Sequence, residues 1–148
     1  MDFFNTNTNT SKKKLSVNRI TLDNINKLEP NQIFVFGSNL SGRHGKGAAR
    51  TAMKWGAIYG QASGLQGRTY GIPTKDASIR KTLTLDEIKR FVDVFILFAK
   101  DNSHLTFLVT EIGCGLAGLK AKDVALLFKD SVDVTNIHLP SKFWHKLI

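Results

Sequence analysis

Short apolar runs alternate with amphipathic stretches along this chain, and the alternation predicts its elements. Asn31–Gly37 (NQIFVFG) is a continuous run rich in β-forming residues, the pattern of a strand covered on both faces. Gly47 to Trp55 (GAARTAMKW) predicts a helix ending near Gly56. Gly60–Gly67 predicts a loop, and Arg68–Pro73 (RTYGIP) a strand stopped by its proline. Thr84–Lys100 is the clearest helix. Thr84 and Glu87 form a capping box, and Leu85, Ile88, Val92, Phe95 and Ala99 recur at helical spacing. Leu105–Thr110 (LTFLVT) predicts a second buried strand, Ala121–Lys129 a helix, Val132–Leu139 (VDVTNIHL) a further strand, and Pro140 the start of a closing helix. Strands alternating with helices predict an α/β domain with a largely parallel sheet over residues 15–148, preceded by a flexible basic arm over residues 1–14.

The length of 148 residues suits one domain able to bury a core, and a hydrophobic content of 42% is that of a globular chain. The longest apolar stretch, Phe91–Ala99, is interrupted by Asp93 and falls short of a membrane span; the N-terminus lacks the apolar segment of a secretory signal. These features, with Cys114 as the single cysteine, predict a cytoplasmic protein without disulfides or membrane partners. Net charge is +9, and much of it lies in two acid-poor, glycine-containing segments. Ser38–Arg50 carries Arg43, Lys46 and Arg50 without an acid; Gln66–Lys81 carries Arg68, Lys75, Arg80 and Lys81 against Asp76. Such segments favour an anionic partner, a nucleotide or a nucleic acid.

In a parallel sheet, ligands sit on loops at the carboxyl ends of strands, and three candidate loops fall there. The first, VFGSNLSGRHGKGAAR (Val35–Arg50), is neither a phosphate-binding P-loop, because Arg43-His44 stands where Lys-Ser or Lys-Thr is needed, nor a dinucleotide fingerprint, because Arg50 replaces the third glycine. It offers backbone amides and positive charge to an anion, or it is a plain glycine turn. The second, IGCGLAGL (Ile112–Leu119), has Gly113, Gly115 and Gly118 to wrap a ligand in amides. Cys114 in it has no partnering histidine, which favours a small buried thiol over a nucleophile. The third follows Pro73. Lys75 there is a nucleophile or base if desolvated and an ordinary loop lysine if exposed; Asp76 orients a hydroxyl or caps a turn. His44, His104, His138 and His145 show no metal-ligand spacing, so no metal is expected.

These segments, in this order, resemble a macrodomain, the three-layer α/β/α module that binds ADP-ribose. VFGSN resembles the strand ending in a ribose-facing asparagine, here Asn39; HGKGAARTAMKWG the first glycine-rich loop and its helix; VTEIGCGLAGLKAKDVALLF the phosphate-wrapping loop and the next helix. Pro73-Thr74-Lys75 together with Ile112–Leu116 is most similar to the lysine-dependent branch, which includes protein ADP-ribosyl glycohydrolases and antitoxins that remove ADP-ribose from DNA. The resemblance implies hydrolysis of an ADP-ribosyl linkage with Lys75 acting at the anomeric carbon of the distal ribose and Asn39 orienting that ribose. It places Ser38, Arg43, His44, Gly45, Gly47, Ala48 and Thr74 around the ribose and its phosphate. Ile112, Gly113, Cys114, Gly115, Leu116, Ala117 and Gly118 would surround the diphosphate, and Asp23 would bind adenine. It calls for no metal or redox cofactor, and its partner is ADP-ribose or an ADP-ribosylated macromolecule, DNA being one candidate. Where the protein-directed members carry an aspartate after GCGL, this chain has Ala117; the members acting on DNA also lack an acid at that point. Small macrodomain-type proteins of phage genomes are also similar, which implies a role in host conflict. A non-catalytic reader or sponge for ADP-ribose-derived nucleotides is the rival reading. A basic nucleic-acid binder without a nucleotide pocket is a third, disfavoured because the aromatics concentrate in apolar runs.

Overall fold

The computed structural model describes residues 18–148, so the predicted basic arm, with Lys12, Lys13 and Lys14, lies outside the described residues. Six strands form one sheet in the order β1 (Ile20–Thr21), β6 (Ile137–Pro140), β5 (Thr106–Val109), β2 (Gln32–Asn39), β4 (Thr69–Lys75), β3 (Gly64–Gln66). All neighbours pair in parallel except β3, which runs antiparallel to β4 at the edge. The α/β expectation and its mostly parallel sheet stand.

Period-two side-chain alternation divides the core. Ile33 and Val35 of β2, Tyr70 and Ile72 of β4, and Phe107 and Val109 of β5 pack on one face with helices α2 (Leu85–Asp101), α3 (Ala121–Leu127) and α4 (Ser141–Leu147). Phe34 and Phe36 of β2 and Leu108 of β5 pack on the other with Ala49 and Ala52 of α1 (Gly47–Ala52). Helices thus cover both faces, giving three layers. The α2 face is that expected, with Ile96 added and Leu85 only half-buried. Its capping box is formed: Thr84 Oγ1 accepts from Glu87 N–H at 3.1 Å, and Glu87 Oε1 accepts from Thr84 N–H at 2.9 Å. The hydrogen bonds to its carboxylate hold the Glu87 pKa below the usual range.

Several expected boundaries change. The stretch after α1 tightens into a 3₁₀ turn over Met53–Trp55, and Gly56 at φ 100° ends it. Part of the expected 60–67 loop is β3. The strand expected to stop at Pro73 continues to Lys75. Pro73 lies opposite Ser38, but Asn39 lies opposite Lys75, so β4 has one extra residue beside the proline, which has no N–H for the ladder. The strand expected over 132–139 is reduced to Ile137–Pro140, because residues 131–137 turn: Val134 N–H donates to Ser131 C=O and Ile137 N–H to Val134 C=O.

That turn is held by Arg19, which sequence reasoning passed over. Its buried guanidinium donates from Nε to Ile137 C=O at 2.9 Å, from Nη1 to Val132 C=O at 2.7 Å, and from Nη2 to the carbonyls of Ser131, Val134 and Ile137 at 3.0, 2.8 and 2.7 Å. Trp144 Nε1–H donates to Arg19 C=O at 2.8 Å, and the Arg19 Cζ lies 4.9 Å from the Trp144 ring centroid. No helix among the described residues is long and apolar enough to cross a membrane.

Candidate functional site

β2 lies between β4 and β5, so the carboxyl ends of these three strands bring the three candidate loops to one place. They enclose a cleft of about 830 Å³, within the range of small-molecule sites. Gly37, Ser38 and Asn39 line it at the strand ends with Thr110, Glu111 and Ile112; Arg43 and Gly45–Ala49 line it from the first loop; Gly113 and Gly115–Ala117 from the second; Thr74, Lys75 and Ile79 from the third, and Tyr59 completes the lining.

The second glycine loop is braced internally. Cys114 N–H donates to Glu111 C=O, Gly118 N–H to Gly115 C=O and Leu119 N–H to Gly113 C=O. Gly113 turns at φ 74°, in the left-handed region that disfavours other residues. Among the described residues, the amides of Gly115, Leu116 and Ala117 on this wall, and of Gly45, Lys46, Gly47 and Ala48 opposite, have no backbone acceptor. Two sets of unengaged N–H groups flanking one cleft suit a polyoxyanion.

Lys75 ends β4, half-buried, and its Nζ donates to Ile79 C=O at 3.4 Å. Ile79 sits at φ 64°, a left-handed conformation strained for a β-branched residue. The 76–82 loop carrying it is pinned by Asp76, whose Oδ1 accepts from Ser78 Oγ at 2.8 Å and Lys81 N–H at 3.3 Å. The Ser78 hydroxyl foremost, with these backbone donors, lowers the Asp76 pKa. Asp76 thus caps a turn. Thr82 Oγ1 donates to Ala117 C=O at 2.7 Å, tying this loop to the second glycine loop.

The predicted residues divide between the cleft and its supports. Ser38, Asn39, Arg43, Gly45, Gly47, Ala48, Thr74, Lys75, Ile112, Gly113, Gly115, Leu116 and Ala117 line the cleft. Asn39 also braces its own loop: Oδ1 accepts from Ser41 Oγ at 2.8 Å and Arg43 N–H at 2.9 Å, and Nδ2 donates to Arg43 C=O at 2.9 Å. One amide hydrogen of Asn39 is left for a ligand. His44 is 3% exposed and does not line the cleft. Its Nε2 lies 3.0 Å from Gln61 C=O and 3.2 Å from Gln66 Oε1, both acceptors there, so Nε2 carries the proton; buried Nδ1 has no partner among the described residues. Phe36 meets the His44 ring edge-on at 5.1 Å between centroids. Cys114 packs against the core, its pKa pushed from the usual 9 to about 11 by burial and then Glu111, against an opposing pull from Lys142. That is a poor nucleophile at neutral pH. Gly118 does not line the cleft, and Asp23, expected to bind adenine, is exposed and lies outside it.

Seven lining residues were not predicted as site residues: Gly37, Lys46, Ala49, Tyr59, Ile79, Thr110 and Glu111. Of these, Lys46, Tyr59 and Glu111 bring charge or an aromatic ring. Tyr59, 63% exposed, brings an aromatic ring beside the basic loop, where the sequence had suggested none. Glu111 supplies a carboxylate at the end of β5, paired at 3.7 Å with Lys142. Among the described residues, no three His, Cys, Asp or Glu side chains are grouped to hold a metal ion.

No protein-family model matches the chain, and no curated protein matches it. The fold is similar to a solved structure described as that of a protein of unknown function from Bacteroides thetaiotaomicron, with a TM-score of 0.57 and 16% identity, covering 78% of this chain and 88% of that one. At that identity the likeness concerns the fold alone.

Proposed function

We propose that the cleft binds ADP-ribose and hydrolyses an ADP-ribosyl linkage, as a macrodomain of the lysine-dependent branch would. The observation that carries this reading is the pair of walls with unengaged backbone amides, Gly45–Ala48 and Gly115–Ala117, facing one cleft that also takes in Lys75. A diphosphate held by Gly113–Ala117 would leave the distal ribose near Gly45, Gly47, Ala48 and Asn39, with its anomeric carbon toward Lys75. Preorganised amides need no rearrangement as charge develops in the transition state. The proposed setting is the cytoplasm.

A non-catalytic ADP-ribose reader is the second reading, favoured by Ala117, which leaves that loop without an acid. Calorimetric titration with ADP-ribose, followed by release assays on ADP-ribosylated protein and ADP-ribosylated single-stranded DNA, separates the two. The hydrolase reading expects saturable one-to-one binding, release by the wild type, and a Lys75→Ala variant that binds within about threefold of wild type yet releases nothing, because a group acting in the transition state is missed in kcat rather than in binding. Binding without release from either substrate supports the reader. Absence of binding ends both.

A further inference from the structure

We propose that Tyr59 is a stacking platform for a nucleobase borne on the anomeric carbon, and so selects the carrier; the inference rests on the ADP-ribose reading above, hydrolytic or not. Tyr59 lines the cleft while 63% exposed, so core packing does not account for a large aromatic there. Its backbone is fixed. Gln61 N–H donates to Ile58 C=O at 3.0 Å, closing a turn with Tyr59 second and Gly60 third. Gly60, at φ 100°, supplies the left-handed residue that a type II turn requires. Both limbs are anchored: Ile58 N–H donates to Gln66 Oε1 at 2.7 Å, Gly60 N–H to Gly42 C=O at 2.8 Å, and His44 Nε2 to Gln61 C=O at 3.0 Å. His44, absent from the cleft, thus holds this turn in place. A ring on a rigid tip has little freedom left to lose when it binds a flat group.

The turn stands at the carrier's end of the cleft. Gly42, which accepts from Gly60, itself donates to Asn39 C=O at 2.9 Å, and Asn39 lies level with Lys75 across β2 and β4. Ala62, three residues after Tyr59, packs against β4: its C=O accepts from Ser38 Oγ, and a Cβ at Gly71 would meet that oxygen at 2.6 Å. Gly113–Ala117 follow β5, on the opposite side of β2. A ligand with its diphosphate there and its anomeric carbon toward Lys75 points its carrier away from β5, to the side where Tyr59 stands. The surroundings then select the kind of ring. Arg43, Lys46 and Lys75 line the same cleft and oppose a further cation. They disfavour an arginine guanidinium, the flat group that a protein carrier offers to an aromatic face. A serine or carboxylate linkage has no such face. A neutral nucleobase has one, and it stacks whatever its identity.

The test is calorimetric titration in a Lys75→Ala background, where no ligand is cleaved, with Tyr59 kept or changed by Tyr59→Ala, Tyr59→Leu or Tyr59→Phe. The ligands are ADP-ribose, a nucleoside ADP-ribosylated on its base, a single-stranded oligonucleotide ADP-ribosylated on a base, and a serine-ADP-ribosylated peptide. Tyr59→Ala and Tyr59→Leu should each weaken both base-bearing ligands at least about fivefold, the low end for loss of one base stack. Tyr59→Phe should stay within about twofold for them, and ADP-ribose and the peptide should change less than about twofold in every variant, because only a base uses the ring. Leucine keeps apolar bulk without a π face and so separates stacking from packing. Base-bearing ligands held as tightly by Tyr59→Leu, an equal loss with ADP-ribose or the peptide, or a loss confined to the oligonucleotide overturns the inference while leaving the ADP-ribose reading intact. A wild type that does not bind ADP-ribose overturns both.

Discussion

A Cβ at Gly115 would meet no heavy atom within 4 Å, whereas one at Gly113 would press to 3.0 Å from Leu119 Cδ1 at a φ already unsuited to it. The two glycines of one loop therefore answer different questions. Gly115→Glu places bulk and negative charge where the proposed diphosphate lies without disturbing the fold, and ADP-ribose affinity measured by calorimetry should fall at least tenfold, the equivalent of ~1.4 kcal/mol. Unchanged affinity in the folded variant would remove phosphate from this wall. At this scale the sequence was informative wherever site residues are contiguous. Thr74-Lys75 and Ile112–Ala117 were found because a loop motif keeps its members together. Tyr59 enters the cleft through the packing of a separate segment, and no local spacing announces it, whereas Glu111 adjoins Ile112 but carries no motif signal of its own. Asn39 carried a legible signal of its second role, since Asn with Ser41 and Gly42 two and three residues on favours a turn capped by its side chain, and Arg43 N–H does donate to it.

Among the elements, the 131–137 turn is the segment whose pattern misled. Val132, Val134 and the polar residues between them alternate as a strand does, but an unpaired segment outside the ladder obeys the donors it meets, here five bonds from Arg19. Such a long-range partner has no signature in a local window. Replacing Arg19 with Met keeps the apolar stem and removes all five of its hydrogen bonds; the carbonyls of Ser131 and Val134 keep their backbone donors within the turn, while those of Val132 and Ile137 lose the guanidinium. Hydrogen bonds to charged groups contribute about 1.5–3 kcal/mol each, so a loss of at least ~3 kcal/mol is expected, read as a lower midpoint in urea with an unchanged slope. A change below ~1 kcal/mol would mean that water replaces the guanidinium without penalty. α2 was legible for the opposite reason: its cap and its apolar face are both local.

Over the whole molecule, the net charge of +9 is less telling than its gaps. No aspartate or glutamate occurs between Glu29 and Asp76, and among the described residues Arg43, Lys46, Arg50 and Lys54 have no carboxylate within ion-pair distance. Arg50 and Lys54 border a shallow depression that shares Gly45 and Gly47 with the cleft. If the carrier of the proposed ADP-ribosyl group is single-stranded DNA, each phosphate neutralised adds about 0.7 to the slope of log affinity against log salt. ADP-ribosylated single-stranded DNA should then show a slope roughly 2 steeper than free ADP-ribose across a salt series, and equal slopes would point to a carrier that avoids this face. The sheet order has a different consequence, for how the protein is made. β1 is the first strand of the described chain and its single sheet neighbour, β6, is the last. A ribosome emitting the chain from its N-terminus can complete β2, β4 and β5 and the helices between them while β1 has nothing to pair with and Arg19 has none of its carbonyls. Order of synthesis and order of assembly therefore disagree at this edge, where the first of the described strands to emerge is among the last to be seated.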